Sequence, residues 1–131
     1  MIYFDSSALV KLVRAEAETT ALTTWIAQHP DAQRVTSSLA RVEVVRAVRD
    51  GGQQFTAQAA AVLVEVDQMP MTYDLLDEAA ALPLRVKSLD AIHLASAMRL
   101  RSELKAFVCY DKQLIAAATE VGLSVAAPGA S

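Results

Sequence analysis

Short β-prone runs alternate with longer helical segments along this chain, and that alternation restricts the fold more than any single residue does. Ile2 to Phe4 is a β-prone run, and Ser6 to Val13 reads as a helix opened by serines. Leu22, Trp25 and Ile26 at helical spacing predict a helix over 15–28 with Trp25 as a core anchor, closed by His29-Pro30 because proline disfavours helical geometry in the residue before it. Arg34 to Ser37 makes a second short strand, after which Ser37 or Ser38 is placed to cap a helix running to about Asp50, where Gly51-Gly52 ends it. Gln53 to Gln68 predicts a further helix, Met69 to Tyr73 a short strand interrupted by Pro70, and Asp74 to Leu82 another helix. Ser88 reads as the cap of a helix from Leu89 to about Leu100. Ala106 to Tyr110 is the clearest strand of the second half, followed by a helix over Lys112 to Val121, a Gly122 stop and a last strand from Leu123 to Ala126. Strands and helices in this order imply an α/β domain whose central parallel sheet is covered by helices on both faces.

A chain of 131 residues accommodates one domain of this kind, expected over 1–126, with 127–131 as a flexible tail. Apolar residues make up 53% and aromatics only 5%, so the core is expected to be built from Ala, Leu and Val. The formal net charge of −3 argues against a protein that holds nucleic acid through an overall basic surface, but not against an enzyme with a local acidic site. The single cysteine, Cys109, rules out an intrachain disulfide and sits in the apolar run AFVCY, where a buried structural thiol is expected. No run approaches the ~18 apolar residues of a membrane span, and a soluble, cytoplasmic protein is the expectation.

Four carboxylates stand beside apolar segments: Asp5 in MIYFDSSALV, Glu43 in SSLARVEVVRA, Asp90 in SLDAIHLASA and Asp111 in AFVCYDKQL. Asp5 and Asp111 follow predicted strands, at the sheet edge where ligands of parallel α/β folds bind. Each acid also has a structural reading: Asp5 and Asp111 as helix caps, Asp90 as a favoured first-turn charge, and Glu43 as the partner of Arg46. A fold that gathered the four would crowd like charges that repel by about 4 kcal/mol per pair at roughly 4 Å near a protein surface, and oxygen-only ligands of this type suit Mg²⁺ or Mn²⁺. Ser6 and Ser7 can hydrogen-bond the first aspartate or a phosphate, and Ser6 can instead cap the first helix. His93, one turn beyond Asp90, can be a structural histidine or a general base.

These segments together, with SLDAIHLASA the most specific, resemble a PIN-domain ribonuclease, in particular the VapC-type toxins of type II toxin-antitoxin pairs. The resemblance spans nearly the whole chain and implies a three-layer α/β/α fold. It further implies an endoribonuclease in which Asp5, Glu43, Asp90 and Asp111 surround Mg²⁺ or Mn²⁺, Asp5 and Asp90 being the main direct ligands. Many relatives carry Thr or Ser two residues before the last aspartate, where this chain has Cys109. The implied partners are RNA, a VapB-type antitoxin lying across the acidic groove and a second copy of the chain. Lys11, Arg14, Arg41, Arg46, Lys87 and Lys112 lie near the acids in sequence and are candidate phosphate contacts. Aspartate-based phosphotransfer fits poorly, because Ser7 stands where such phosphatases carry a second aspartate. A catalytically silent PIN-like module that binds RNA or protein is the alternative.

Overall fold

The computed structural model describes residues 1–131. Its five strands, β1 (Ile2–Phe4), β2 (Arg34–Ser37), β3 (Asp67–Met69), β4 (Ala106–Val108) and β5 (Val125–Ala126), form one parallel sheet in the order β3-β2-β1-β4-β5. The helices are α1 (Ser6–Val13), α2 (Thr19–Ala27), α3 (Ala40–Val48), α4 (Gln53–Val64), α5 (Tyr73–Ala81), α6 (Ser88–Arg99) and α7 (Lys112–Glu120).

Alternation along β1 explains the three layers. Successive side chains of a strand point to opposite faces. Ile2 and Phe4 therefore join Leu9, Leu22, Val44 and Leu63 in a core beneath α1 to α4, together with Ala106 and Val108 of β4. Tyr3 and Phe107 face the other way and stack, ring centroids 5.4 Å apart, in a second core with Leu94 of α6 and Leu114 of α7. Helix α5 packs on α6 through Leu75, Ala79, Ala91 and Ala95.

From β1 the chain builds outward through β2 and β3, then returns to the opposite flank of β1 for β4 and β5. The seam between β1 and β4 is thus the point where strand order reverses. The segments leaving these two strands run to opposite faces of the sheet and open a crevice at their C-terminal ends, the usual ligand position in such folds.

The expected α/β/α fold is present, with local differences that have physical reasons. Residues 14–18 break the helix expected over 15–28, and α2 begins only at Thr19. There the buried Lys11 pairs with Glu16 and Glu18 at 3.2 and 3.1 Å, and the Thr19 hydroxyl donates to the Lys11 carbonyl at 2.7 Å. Helix α4 stops at Val64, and β3 begins at Asp67, earlier than expected, because it aligns residues 67–69 with 35–37 of β2 before Pro70, which has no N–H to donate. Neither Ser6 nor Ser88 caps its helix: Asp5 caps α1, and α6 starts after Lys87 without a side-chain cap. Gly122, at φ 86°, occupies the left-handed position after α7. Trp25 lies at the margin of the first core, packed against His29 with ring centroids 4.5 Å apart, so it is an edge contact and not a central anchor. At 127–131, the Pro128 carbonyl accepts from the Tyr110 hydroxyl at 2.8 Å.

Leu94 is fully buried between the sheet and α6, the helix that carries Asp90 and His93. Leu94→Ala is expected to cost about 2–5 kcal/mol of stability, read by denaturant unfolding. A loss below about 1 kcal/mol would contradict close packing at this layer.

Candidate active site

Asp5, Glu43, Asp90 and Asp111 line one open cavity of about 400 Å³, together with Ser6, Ser7, Lys87, Ser88, Leu89 and His93. The cavity lies at the strand-order reversal, and four chain segments supply its acids. Asp5 directly follows β1, Glu43 is in the first turn of α3, Asp90 is in the first turn of α6, and Asp111 immediately precedes α7. All four expected site residues are therefore brought together.

Two of the acids also have the structural roles open to them in the sequence. Asp5 Oδ1 accepts from the Ala8 N–H at 3.0 Å and from the Ser7 hydroxyl at 2.8 Å. Asp111 Oδ1 accepts from the Leu114 N–H at 2.9 Å. Capping and lining the cavity are compatible because these bonds occupy one oxygen of each carboxylate and leave Oδ2 without a protein partner. The Asp5 N–H donates to the Val108 carbonyl at 3.1 Å, and the Tyr110 N–H donates to Ser7 Oγ at 3.3 Å. The ends of β1 and β4 are thereby joined at the floor of the site.

Glu43 does not pair with Arg46. Its Oε1 accepts from the Ser6 hydroxyl at 2.7 Å and lies 2.8 Å from His93 Nε2, while His93 Nδ1 is 2.8 Å from the Tyr3 hydroxyl. His93 is 1% exposed. Ser6, Tyr3 and His93 thus serve the site through Glu43, a role the sequence only partly signals. His93 was visible as one turn from Asp90, whereas nothing in the run IYF marks Tyr3 as more than core.

Burial dominates the electrostatics. It pushes the Asp5 carboxyl from 3.8 to about 6, reinforced by the Asp90 charge and opposed by His93, the Ala8 N–H and Ser7. Burial also raises Asp90, helped by the negative charges of Asp111 and Glu43. At Glu43 burial acts upward too, but the hydrogen bonds from His93 and Ser6 outweigh it and hold this carboxyl below its ordinary value. The site therefore combines one firmly ionised glutamate with two aspartates, Asp5 and Asp90, that resist ionisation.

This donor set is oxygen-only, with a free oxygen on each acid, which suits a hard divalent cation. No three of the acid and imidazole groups are gathered tightly enough to form a ready-made cage. Cys109 is buried, and burial raises its thiol far above the ordinary value, which makes it structural.

Of the six basic residues considered, only Lys87 lines the cavity. Lys11 is enclosed by Glu16, Glu18 and the Tyr110 ring, its ammonium 4.6 Å from the ring centroid. Arg14 is held by Glu16 and the Ala47 carbonyl, and Arg41 contacts Gln68. No helix is long and apolar enough to cross a membrane.

A parallel sheet with acids from four segments at its reversal point defines the class, and residues 2–120 match the PIN domain family. The chain is 44% identical over 136 residues to Ribonuclease VapC47 of Mycobacterium tuberculosis, covering 99% of this chain and 98% of that protein. It is 40% identical over 132 residues to Ribonuclease VapC35 of the same organism, covering 98% of each. In three dimensions it resembles the crystal structure of M. tuberculosis VapC20, a sarcin-ricin loop cleaving toxin, with a TM-score of 0.75 at 19% identity over 98% of this chain and 100% of that one. A toxin-antitoxin complex from Klebsiella pneumoniae gives a TM-score of 0.73 at 19% identity, over 98% of both chains. The chain belongs to the PIN-domain family, in its VapC-type ribonuclease branch.

The raised Asp5 carboxyl has a measurable consequence. Because the group titrates near 3.8 when unfolded and about 6 when folded, the folded protein holds an extra proton between these values. The stability this contributes is present below the unfolded value and is lost as pH rises through the folded one. Asp5→Asn keeps a cap that accepts from Ala8 and Ser7 but carries no charge. In EDTA it is expected to melt above the parent at about pH 7.5, the gap closing toward about pH 4. A gap of equal size at both pH values would contradict the assignment.

Proposed function

We propose that this protein is a metal-dependent endoribonuclease, the toxin of a VapBC-type pair. The convergence of Asp5, Glu43, Asp90 and Asp111 on one open cavity is the observation that carries this reading. The relatives named ribonucleases support it. Asp5 and Asp90 would hold Mg²⁺ or Mn²⁺ through their free oxygens. Glu43 and Asp111 would coordinate through water, hold a second ion or orient the attacking water. When bound, the ion supplies a lowered water pKa and offsets charge on the phosphate during in-line attack.

The protein's own residues account for the rest of the step. Glu43, ionised and tethered, accepts a hydrogen from the attacking water. The joined ends of β1 and β4 keep Asp5 and Asp111 on one cavity, and Lys87 at the cavity wall is positioned to meet a phosphate. The products expected are a 5′-phosphate and a 3′-hydroxyl. The same acids form a receptor for an arginine or lysine of an antitoxin, which would compete with the ion for them, so binding and inhibition become one event. A homodimer is part of this proposal.

The decisive experiment is cleavage of a mixed cellular RNA pool by the purified, antitoxin-free protein in Mg²⁺ or EDTA. Discrete fragments are expected in Mg²⁺ alone. Asp5→Ala and Asp90→Asn are expected to lose more than the roughly 10–100-fold typical of removing an outer partner of a metal ligand. Parent-like cleavage by Asp90→Asn would overturn the assignment of Asp90, and a folded parent inactive in every metal would favour the silent binding module. For the partner, the product of the neighbouring gene is expected to suppress cleavage, with partial relief as Mg²⁺ is raised. A chain that stays monomeric in sedimentation and ignores that product would count against the toxin assembly.

A further inference from the structure

Glu43 is held more elaborately than its neighbours. Two groups meet its Oε1, the Ser6 hydroxyl at 2.7 Å and His93 Nε2 at 2.8 Å, and these two lie 3.2 Å from each other. Behind His93 stands Tyr3, whose hydroxyl is 2.8 Å from Nδ1 and whose ring is fully buried against Phe107. An ionised carboxylate offers only lone pairs, so the hydrogen between His93 and Glu43 is carried by Nε2. Whichever of Tyr3 and Nδ1 carries the other hydrogen, both ring nitrogens have partners and the imidazole cannot turn. Oε2 of Glu43 has no protein partner, and no buried side-chain nitrogen or oxygen in the molecule lacks one, so Oε2 is open to the cavity.

We propose that His93 is a positioning residue: braced from behind by Tyr3, it pins Oε1 of Glu43 together with Ser6, so that Oε2 alone is presented to the attacking water. The proposal rests on the ribonuclease reading for its catalytic consequence but not for the clamp itself. His93 takes no proton from the reacting groups and touches neither RNA nor ion. It fixes where the single free oxygen of Glu43 stands, and small displacements of such a group are costly because the reacting atoms must be aligned within a few tenths of an ångström. The arrangement also separates the tasks of the two residues that leave the end of β1: Ser7 clamps Asp5, and Ser6 clamps Glu43.

The test compares His93→Phe, which fills the space but has no donor, with His93→Gln, whose amide N–H can reach Oε1, and Tyr3→Phe, which removes only the brace. The rate is followed on an RNA oligonucleotide copied from a fragment boundary in the pool experiment, with melting temperature measured in parallel. His93→Phe is expected to lower kcat by about 10–100-fold with KM little changed, Tyr3→Phe to lower it less, and His93→Gln to recover most of the loss. Parent-like kcat in folded His93→Phe, or His93→Gln as slow as His93→Phe, would overturn the proposal. An independent readout uses the metal-free parent: the ¹⁵N resonance of His93 should report a protonated Nε2 and should move in Glu43→Ala. An unmoved resonance would also overturn it. If the parent cleaves no RNA, the ribonuclease reading fails, and the nitrogen resonance still decides whether the clamp exists.

Discussion

The site depends on one constraint, the parallel pairing of β1 with β2 on one side and β4 on the other. A central strand in that position forces the segments after β1 and β4 to leave toward opposite faces of the sheet. Their first turns diverge, and the space between them becomes the crevice. Hydrogen bonds from the Asp5 N–H to the Val108 carbonyl and from the Tyr110 N–H to Ser7 Oγ keep the two ends together while the helices separate. Without that seam, Asp5 and Asp111 are merely caps on unrelated helices.

Into this crevice the fold brings four carboxylates, a charge density that works against folding. Ordinary capping spreads such acids over the surface, where water screens them. Here Asp5 is buried, and both it and Asp90 resist ionisation through burial and nearby negative charge, that of Asp90 on Asp5 and those of Asp111 and Glu43 on Asp90. The protein limits the disorder that repulsion would cause by tying one oxygen of Asp5, Glu43 and Asp111 to a nearby donor. The other oxygen of each of these three carboxylates is left without a protein partner.

Much of this was legible in the residues. The strand at 34–37 and the start of α7 at Lys112 emerged from local pattern alone, because β-branched residues, prolines and glycines act over short distances. Asp5 and Asp111 could be placed at the sheet edge for the same reason. Serines were less legible. Ser6 and Ser88 both stand where a cap is expected, yet Asp5 takes the first cap and the Ser6 hydroxyl is used by Glu43, a residue 37 positions away. The structural alternative for Glu43 was equally local: Arg46 is a near neighbour along the helix, whereas Ser6 and His93 are near only once α1, α3 and α6 are packed. The positive residues show the same limit, since Lys11 is close to Asp5 in sequence but is taken up by Glu16 and Glu18.

By itself, the sequence determined the class of fold and the identity of the acids, because strand alternation, helix punctuation and carboxylates placed beside apolar runs are properties of neighbouring residues. Only the tertiary structure decided which oxygen of each acid is free, which bases are unavailable, and that Tyr3, Ser6 and His93 act together on Glu43. These depend on groups from β1, α1, α3 and α6 meeting at distances near 3 Å, and a hydrogen bond at that range depends on how the helices seat on the sheet, which no local pattern encodes.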